Sequence, residues 1–173
     1  MGLAFWKKES HDQELVFEDD FQRPDSLKSG SGWLEKGQDT RLEGKALRIR
    51  GGWLAGAKDI AGNVRLEFEI ETLPPARANF GGFINGAEGF WNGYDFSMNS
   101  DGAAVLRRSY GSMASASGLP IKAGKRYRVF LERFGSRVSL GLDGKAVAEF
   151  LDLEPYTDQA QAKFGLWAYS TDA

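Results

Sequence analysis

The chain has no cysteine, so a disulfide framework, a thiol nucleophile and a cysteine-based metal site are all excluded. It has one histidine, His11, in a polar stretch near the N-terminus. A Ser-His-Asp triad would have to use that residue, and His11 reads instead as a solvated tail residue. No run approaches the roughly 20 apolar residues that a membrane span requires. Charge of one sign is lacking too: the net charge is −2 with both signs interspersed, so no basic stripe offers itself to a phosphate backbone and nucleic acid is a poor partner. Phosphate loops, zinc spacings and nucleophile elbows are absent. Met1–Lys8 is too short and wrongly ordered for a secretory signal. That leaves the cytoplasm, or an extracellular or periplasmic place reached with a signal already removed.

What is present is alternation. Val64, Leu66, Phe68 and Ile70 alternate with Arg65, Glu67, Glu69 and Glu71. A period of two puts the apolar set on one face of a strand and the charged set on the other, whereas a helix would scatter both around its circumference. Pro74 and Pro75 then stop the strand. The same logic holds for Tyr127–Glu132 and for Val138–Leu142. Asp143-Gly144 follows at once, and both residues tolerate the positive φ of a type I′ hairpin, with Ala146–Phe150 as the return strand. Further strands are predicted at 15–18, 46–50, 80–85, 94–99, 103–109 and 163–169. Asn99-Ser100-Asp101-Gly102 reads as a turn.

Many short strands without an amphipathic helix of ten residues indicate an all-β fold: a two-sheet antiparallel β-sandwich or barrel. Its 22 glycines among 173 residues suit frequent turns. One domain is expected over 14–173, preceded by a leader or tail over 1–13. Phe164, Leu166 and Trp167 read as a buried strand close to the last residue, which would leave an unpaired sheet edge. The chain is therefore either cut from a longer protein at its C-terminal end or a complete domain with a short tail.

The order of signals resembles a known superfamily. Phe17-Glu18-Asp19-Asp20-Phe21 leads to Arg23-Pro24-Asp25-Ser26-Leu27 and Trp33. Glu43-Gly44-Lys45-Ala46-Leu47, the Val64–Glu71 strand, Gly81-Gly82-Phe83, the Val138–Lys145 hairpin and Phe164-Gly165-Leu166-Trp167 follow. Over roughly residues 14–170 this resembles the concanavalin A-like lectin/glucanase superfamily. Within it, the chain is similar to the 3-keto-disaccharide hydrolase domain family and to laminin-G-like domains. The resemblance implies a jelly-roll sandwich with ligands on a concave sheet or in loops at its rim. Family members carry a last strand with an Asp beyond the position of Tyr169, where this chain has only Ser170 to Ala173.

Three constellations could carry chemistry. Glu67, Glu69 and Glu71 share one face at spacings of roughly 7 Å, and a glycoside hydrolase needs two carboxylates. Their spacing resembles the Glu-x-Asp-x-Glu strand of laminarinase- and lichenase-type enzymes, with Glu69 in place of the central Asp. The competing reading is a charged solvent face with Arg65 as partial counterion. The loop from Asn85 to Tyr94 holds Glu88, Phe90, Trp91, Asn92 and Tyr94 among glycines. Aromatic rings stack on the C–H faces of sugars, and a few placed polar groups meet the hydroxyls. Arg107, Arg108 and Tyr110 could reach the same rim, and Trp53 beside Gly51-Gly52 could form another stacking surface. Trp33 and Trp167 are assigned to packing. Glu18, Asp19 and Asp20 are hard oxygen donors suited to a structural calcium of the kind the superfamily implies; no cofactor is otherwise required.

The first expectation is thus a carbohydrate-binding domain using Trp91, Tyr94, Asn92, Glu88, Arg107 and Trp53, either by itself or as one module among other domains of a longer chain. The alternatives are a glycoside hydrolase acting on (keto-)disaccharides or glucans through Glu67, Glu69 or Glu71, and a structural or protein-interaction module.

Overall fold

A computed structural model describes residues 3–9, 12–30, 32–73, 78–87 and 92–170. In chain order the strands are β1 (Leu3–Glu9), β2 (Asp12–Asp19), β3 (Trp33–Glu43), β4 (Ala46–Gly56), β5 (Val64–Glu71), β6 (Ala78–Gly86) and β7 (Tyr94–Asn99). They continue with β8 (Ala104–Arg108), β9 (Gly111–Ala116), β10 (Arg126–Phe134), β11 (Arg137–Leu142), β12 (Lys145–Leu151) and β13 (Lys163–Ser170). A 3-10 turn at Gln159–Gln161 precedes the last strand. Among the described residues no helix is long and apolar enough to cross a membrane.

Two antiparallel sheets result. One has the order β12-β11-β10-β5-β1-β2 and the other β3-β4-β13-β6-β7-β8-β9. The alternation read from the sequence decides what lies between them. Leu66, Phe68, Val129, Leu131, Val138 and Leu140 face inward from the six-stranded sheet. Leu54, Phe80, Ile84, Phe96, Met98, Leu106, Phe164 and Leu166 meet them from the seven-stranded sheet. Phe68 and Phe96 stack across the interface with ring centroids 6.2 Å apart. Burying side chains of this size is worth about 1.5–3 kcal/mol each, which makes this layer the main source of cohesion.

The Asp143-Gly144 turn has φ of +49° and +80°, the left-handed pair that a type I′ hairpin needs. Arg133 departs from its strand's apolar set. It occupies an inward register position and is 1% exposed. Its Nη1 donates to the Gly135 carbonyl at 2.9 Å and its Nε to Asn85 Oδ1 at 3.3 Å.

Three strands were not expected. Residues 3–9, set apart as part of a leader, form β1, which lies between β5 and β2 with Leu3 buried. Its Leu-Ala-Phe-Trp run does not alternate, so period two is silent there. His11 lies outside the described residues. β3 and β9 are the two edges of the seven-stranded sheet. Edge strands tolerate polar and small residues because one side of the ladder faces solvent, and β3 is further broken by bulges around Asp39. The expected unpaired edge at the C-terminal end is also corrected. β13 is flanked on both sides, by β4 and β6.

Candidate functional site

The two sheets each turn one face outward, and those faces differ. On the seven-stranded sheet, strand register sets side chains in rows. Trp53 of β4 lies opposite Trp167 of β13, Trp167 opposite Gly81 of β6, and Gly81 opposite Ser97 of β7. In the neighbouring row Ala55 lies opposite Gly165, Gly165 opposite Phe83, Phe83 opposite Asp95, and Asp95 opposite Arg107 of β8. All of these alternate with core residues and so point away from the sandwich interior. Ala55, Phe83, Trp167 and Trp53 accordingly form an apolar cluster separate from the main core.

Two glycines make room for the rings. A Cβ at Gly81 would come within 2.6 Å of the Trp167 indole, and one at Gly165 within 2.6 Å of the Phe83 ring. Each ring therefore lies over the glycine of the adjacent strand, flat against the sheet. Trp53 meets Phe83 edge-on, with centroids 6.5 Å apart and planes at 82°. Tyr169 sits 5.9 Å from Trp167 and is exposed.

Beside this aromatic surface is a polar group of three. Arg107 Nη1 donates to Asp95 Oδ2 at 2.6 Å, and Arg107 Nη2 donates to Ser97 Oγ at 2.6 Å. Asp95 has no exposed surface, while 21% of the Arg107 side chain remains accessible. Burial pushes the Asp95 carboxyl above its ordinary range, and the Arg107 guanidinium opposes that shift. Asp95 Oδ1 has no hydrogen-bond partner among the described residues.

The expected binding residues are divided by this geometry. Trp53 and Arg107 share the outer face. Trp91 and Glu88 lie outside the described residues. Asn92 is exposed just ahead of β7. Tyr94 is corrected: it points inward and is fully buried. Its hydroxyl donates to Asp152 Oδ2 at 2.6 Å and accepts from the Tyr156 N–H at 3.0 Å. Burial and the neighbouring carboxylate both push its phenol upward, and with no exposed surface its hydroxyl serves the fold's own hydrogen bonds. Asp95, Ser97, Phe83 and Tyr169, not singled out from the sequence, share that face, and the outward half of the Tyr94–Asn99 alternation marks Asp95 and Ser97. Trp33, assigned to packing, does lie in the main core. Trp167 is buried as well, but on the outer face.

Glu67, Glu69 and Glu71 occupy the outer face of the other sheet, across the sandwich from Trp53 and Arg107. Arg65 holds Glu67 through Nη2 at 2.6 Å and Nε at 3.0 Å. Arg126 holds Glu71 at 3.1 Å, and Arg128 lies 3.7 Å from both Glu67 and Glu69. Arg65 and Arg126, together with Arg128 and Asp143, line an open depression of about 460 Å³ over Glu67 and Glu69. This is a network of ion pairs within β5 and between β5 and β10, each carboxylate already answered by a guanidinium.

The calcium expectation meets a filled carboxylate. Asp19 accepts from the Phe21 N–H at 2.8 Å, from Arg23 at 3.0 and 2.8 Å, and from Trp33 Nε1 at 2.8 Å. Glu18 and Asp20 are exposed, and no group of three metal-binding side chains occurs among the described residues. The donors present do not fit a calcium ion, which needs six or more oxygens.

No protein-family model and no curated protein matches the sequence. Solved structures do match in shape. A Bacillus subtilis protein of unknown function with a galectin-like fold aligns at TM-score 0.66 and 12% identity, over 95% of this chain and 91% of its own. The carbohydrate-binding module CBM66 from Bacillus subtilis aligns at TM-score 0.63 and 18% identity, over 80% and 91%. A non-specific endo-β-1,3(4)-glucanase aligns at TM-score 0.63 and 12% identity, over 96% and 84%. At these identities the likeness establishes the fold, a concanavalin A-like jelly-roll sandwich. No family model supports the finer likeness to 3-keto-disaccharide hydrolase and laminin-G-like domains.

Proposed function

We propose that this protein binds carbohydrate on the outer face of its seven-stranded sheet. The observation that carries the reading is the juxtaposition of half-buried Trp53 and exposed Tyr169, backed by the buried Trp167, with an arginine whose guanidinium is fixed from behind by Asp95 and Ser97. Sugar recognition needs an apolar surface for C–H faces and oriented donors for hydroxyls, and this face supplies both within adjacent rows. That a carbohydrate-binding module shares the fold supports the reading without assigning a sugar. A hydrolase working through Glu67, Glu69 or Glu71 is not favoured: those carboxylates are paired with arginines and lie on the opposite face from the aromatic surface.

The test is a glycan array probed with wild type, Trp53→Ala and Tyr169→Ala. Loss of signal in the variants with an unaltered circular dichroism spectrum supports the site. Binding that is unchanged in both variants removes this face from consideration and leaves contact with another domain as its use.

A further inference from the structure

Asp95 is expensive for the fold. A carboxylate with no solvent exposure and one oxygen unmade costs stability that an apolar residue at the same position would not. It also lies on the outer face of the sheet, where an ordinary polar residue would reach water. Its one described partner is Arg107, directly opposite in register and bonded at 2.6 Å. Ser97 takes a second nitrogen of the same guanidinium. Two of the five N–H groups of Arg107 are therefore committed, and the others remain on a side chain that is one-fifth exposed.

The consequence is electrostatic. Arg107 by itself would give the face a positive centre and draw anions. With Asp95 held against it, the pair carries one charge of each sign. Aromatic and small side chains surround it: Phe83 and Gly165 in its own row, Trp53, Trp167 and Gly81 in the next. A ligand thus meets directed hydrogen-bond donors without net charge. A uronate or sulfate would gain little from Arg107 and would have to approach the Asp95 carboxylate.

We propose that the face selects neutral, hydroxyl-rich sugars, and that Asp95 is the positioning residue that sets this choice by orienting Arg107 and cancelling its charge. This rests on the reading that the face binds carbohydrate. Asp95 itself does not touch the ligand.

The experiment is a glycan array carrying neutral oligosaccharides beside their uronate- and sulfate-bearing counterparts, probed at low and high salt. Wild type, Asp95→Asn and the double variant Asp95→Asn/Arg107→Gln are compared, each with a thermal melt. Wild type is expected to bind neutral glycans at least about tenfold more tightly than their charged counterparts. Asp95→Asn, which keeps the shape and removes the negative charge, should lose about tenfold on neutral glycans and gain salt-sensitive binding to anionic ones. The double variant, neutral again, should lose that gain. Wild type that binds charged and neutral glycans alike, or an Asp95→Asn variant with unchanged preference, overturns the proposal while leaving the binding face intact. Wild type that binds no glycan overturns both. If Asp95→Asn unfolds, the wild-type preference and its salt dependence still decide: a charged preference that weakens with salt overturns the proposal.

Discussion

The Tyr94 hydroxyl donates to Asp152 Oδ2 at 2.6 Å across 58 residues of sequence, and the same carboxylate oxygen accepts from Arg108 Nε at 2.6 Å. Arg108 also donates to the Glu154 carbonyl and lies 4.5 Å from the Tyr156 ring centroid. The segment after β12 is thereby fastened to the end of β7 and β8, the same strands that display Asp95 and Arg107 on their other side. Tyr94 turns its ring into the core while the next residue, Asp95, turns outward, so one dipeptide serves both faces of the sheet.

Tyr94→Phe should cost about 1–3 kcal/mol, because it strips the Tyr156 N–H of its acceptor and Asp152 of one donor in a buried setting. Urea denaturation measures this as a lower midpoint at unchanged slope. A midpoint equal to wild type would show that water replaces the hydroxyl without loss.

Acid should weaken the fold through Asp19 and Asp152. Burial pushes both carboxyls up. In Asp19 the hydrogen bonds from Arg23, Trp33 and the Phe21 N–H outweigh it, and in Asp152 those from Tyr94, Glu154 and Arg108 do. Both folded values lie below the ordinary carboxylate value of about 4. Their contribution is complete above that value and is lost as pH falls through the lowered folded values. Stability measured from pH 7 to pH 2 should drop below about pH 4. Asp19→Asn, which turns an amide donor toward Arg23, should be less stable at pH 7 and show a shallower drop.

Gly81→Ala should destabilise by about 1–3 kcal/mol, since its methyl group meets the Trp167 indole and the Phe96 carbonyl. Tryptophan fluorescence should shift as Trp167 is lifted from the sheet. Glycan binding should fall with it, because the ring surface is no longer flat.

Tyr110→Gly should stabilise the fold by about 1 kcal/mol. Among the described two-residue hairpins, the β8–β9 turn at Ser109-Tyr110 is the one without glycine, with φ of +42° and +72°. A bulky residue in the left-handed region costs about 1–2 kcal/mol that glycine avoids. A raised melting temperature checks this, and a lowered one would show that contacts of the Tyr110 ring exceed the strain.

Much of the sandwich was legible from particular residues. Val64–Glu71 and Tyr94–Asn99 were bounded as the structure has them, because alternation there is unbroken. β1 was not legible, since its Leu-Ala-Phe-Trp run carries no period-two alternation. The candidate site was half legible. Trp53 and Arg107 were singled out on chemistry; Tyr94 was grouped with the loop before it, although alternation with Phe96 and Met98 sets it inward, and only its partner Asp152, 58 residues on, leaves no local trace. Glu67, Glu69 and Glu71 looked like catalytic carboxylates in one strand, and only pairing with β10 brought Arg126 and Arg128 against them.

The amino-acid sequence alone determined the two-sheet architecture, the type I′ turn at Asp143-Gly144 and the inward set of the core, because side-chain period and turn chemistry act over a few neighbouring residues. The tertiary structure decided which outward face carries rings and which carries ion pairs. It placed Trp53, Trp167, Asp95 and Arg107 in two adjacent rows, and it joined Tyr94 to Asp152 and Arg133 to Asn85. Those outcomes depend on strand order and register between segments far apart in the chain, and no local pattern encodes them.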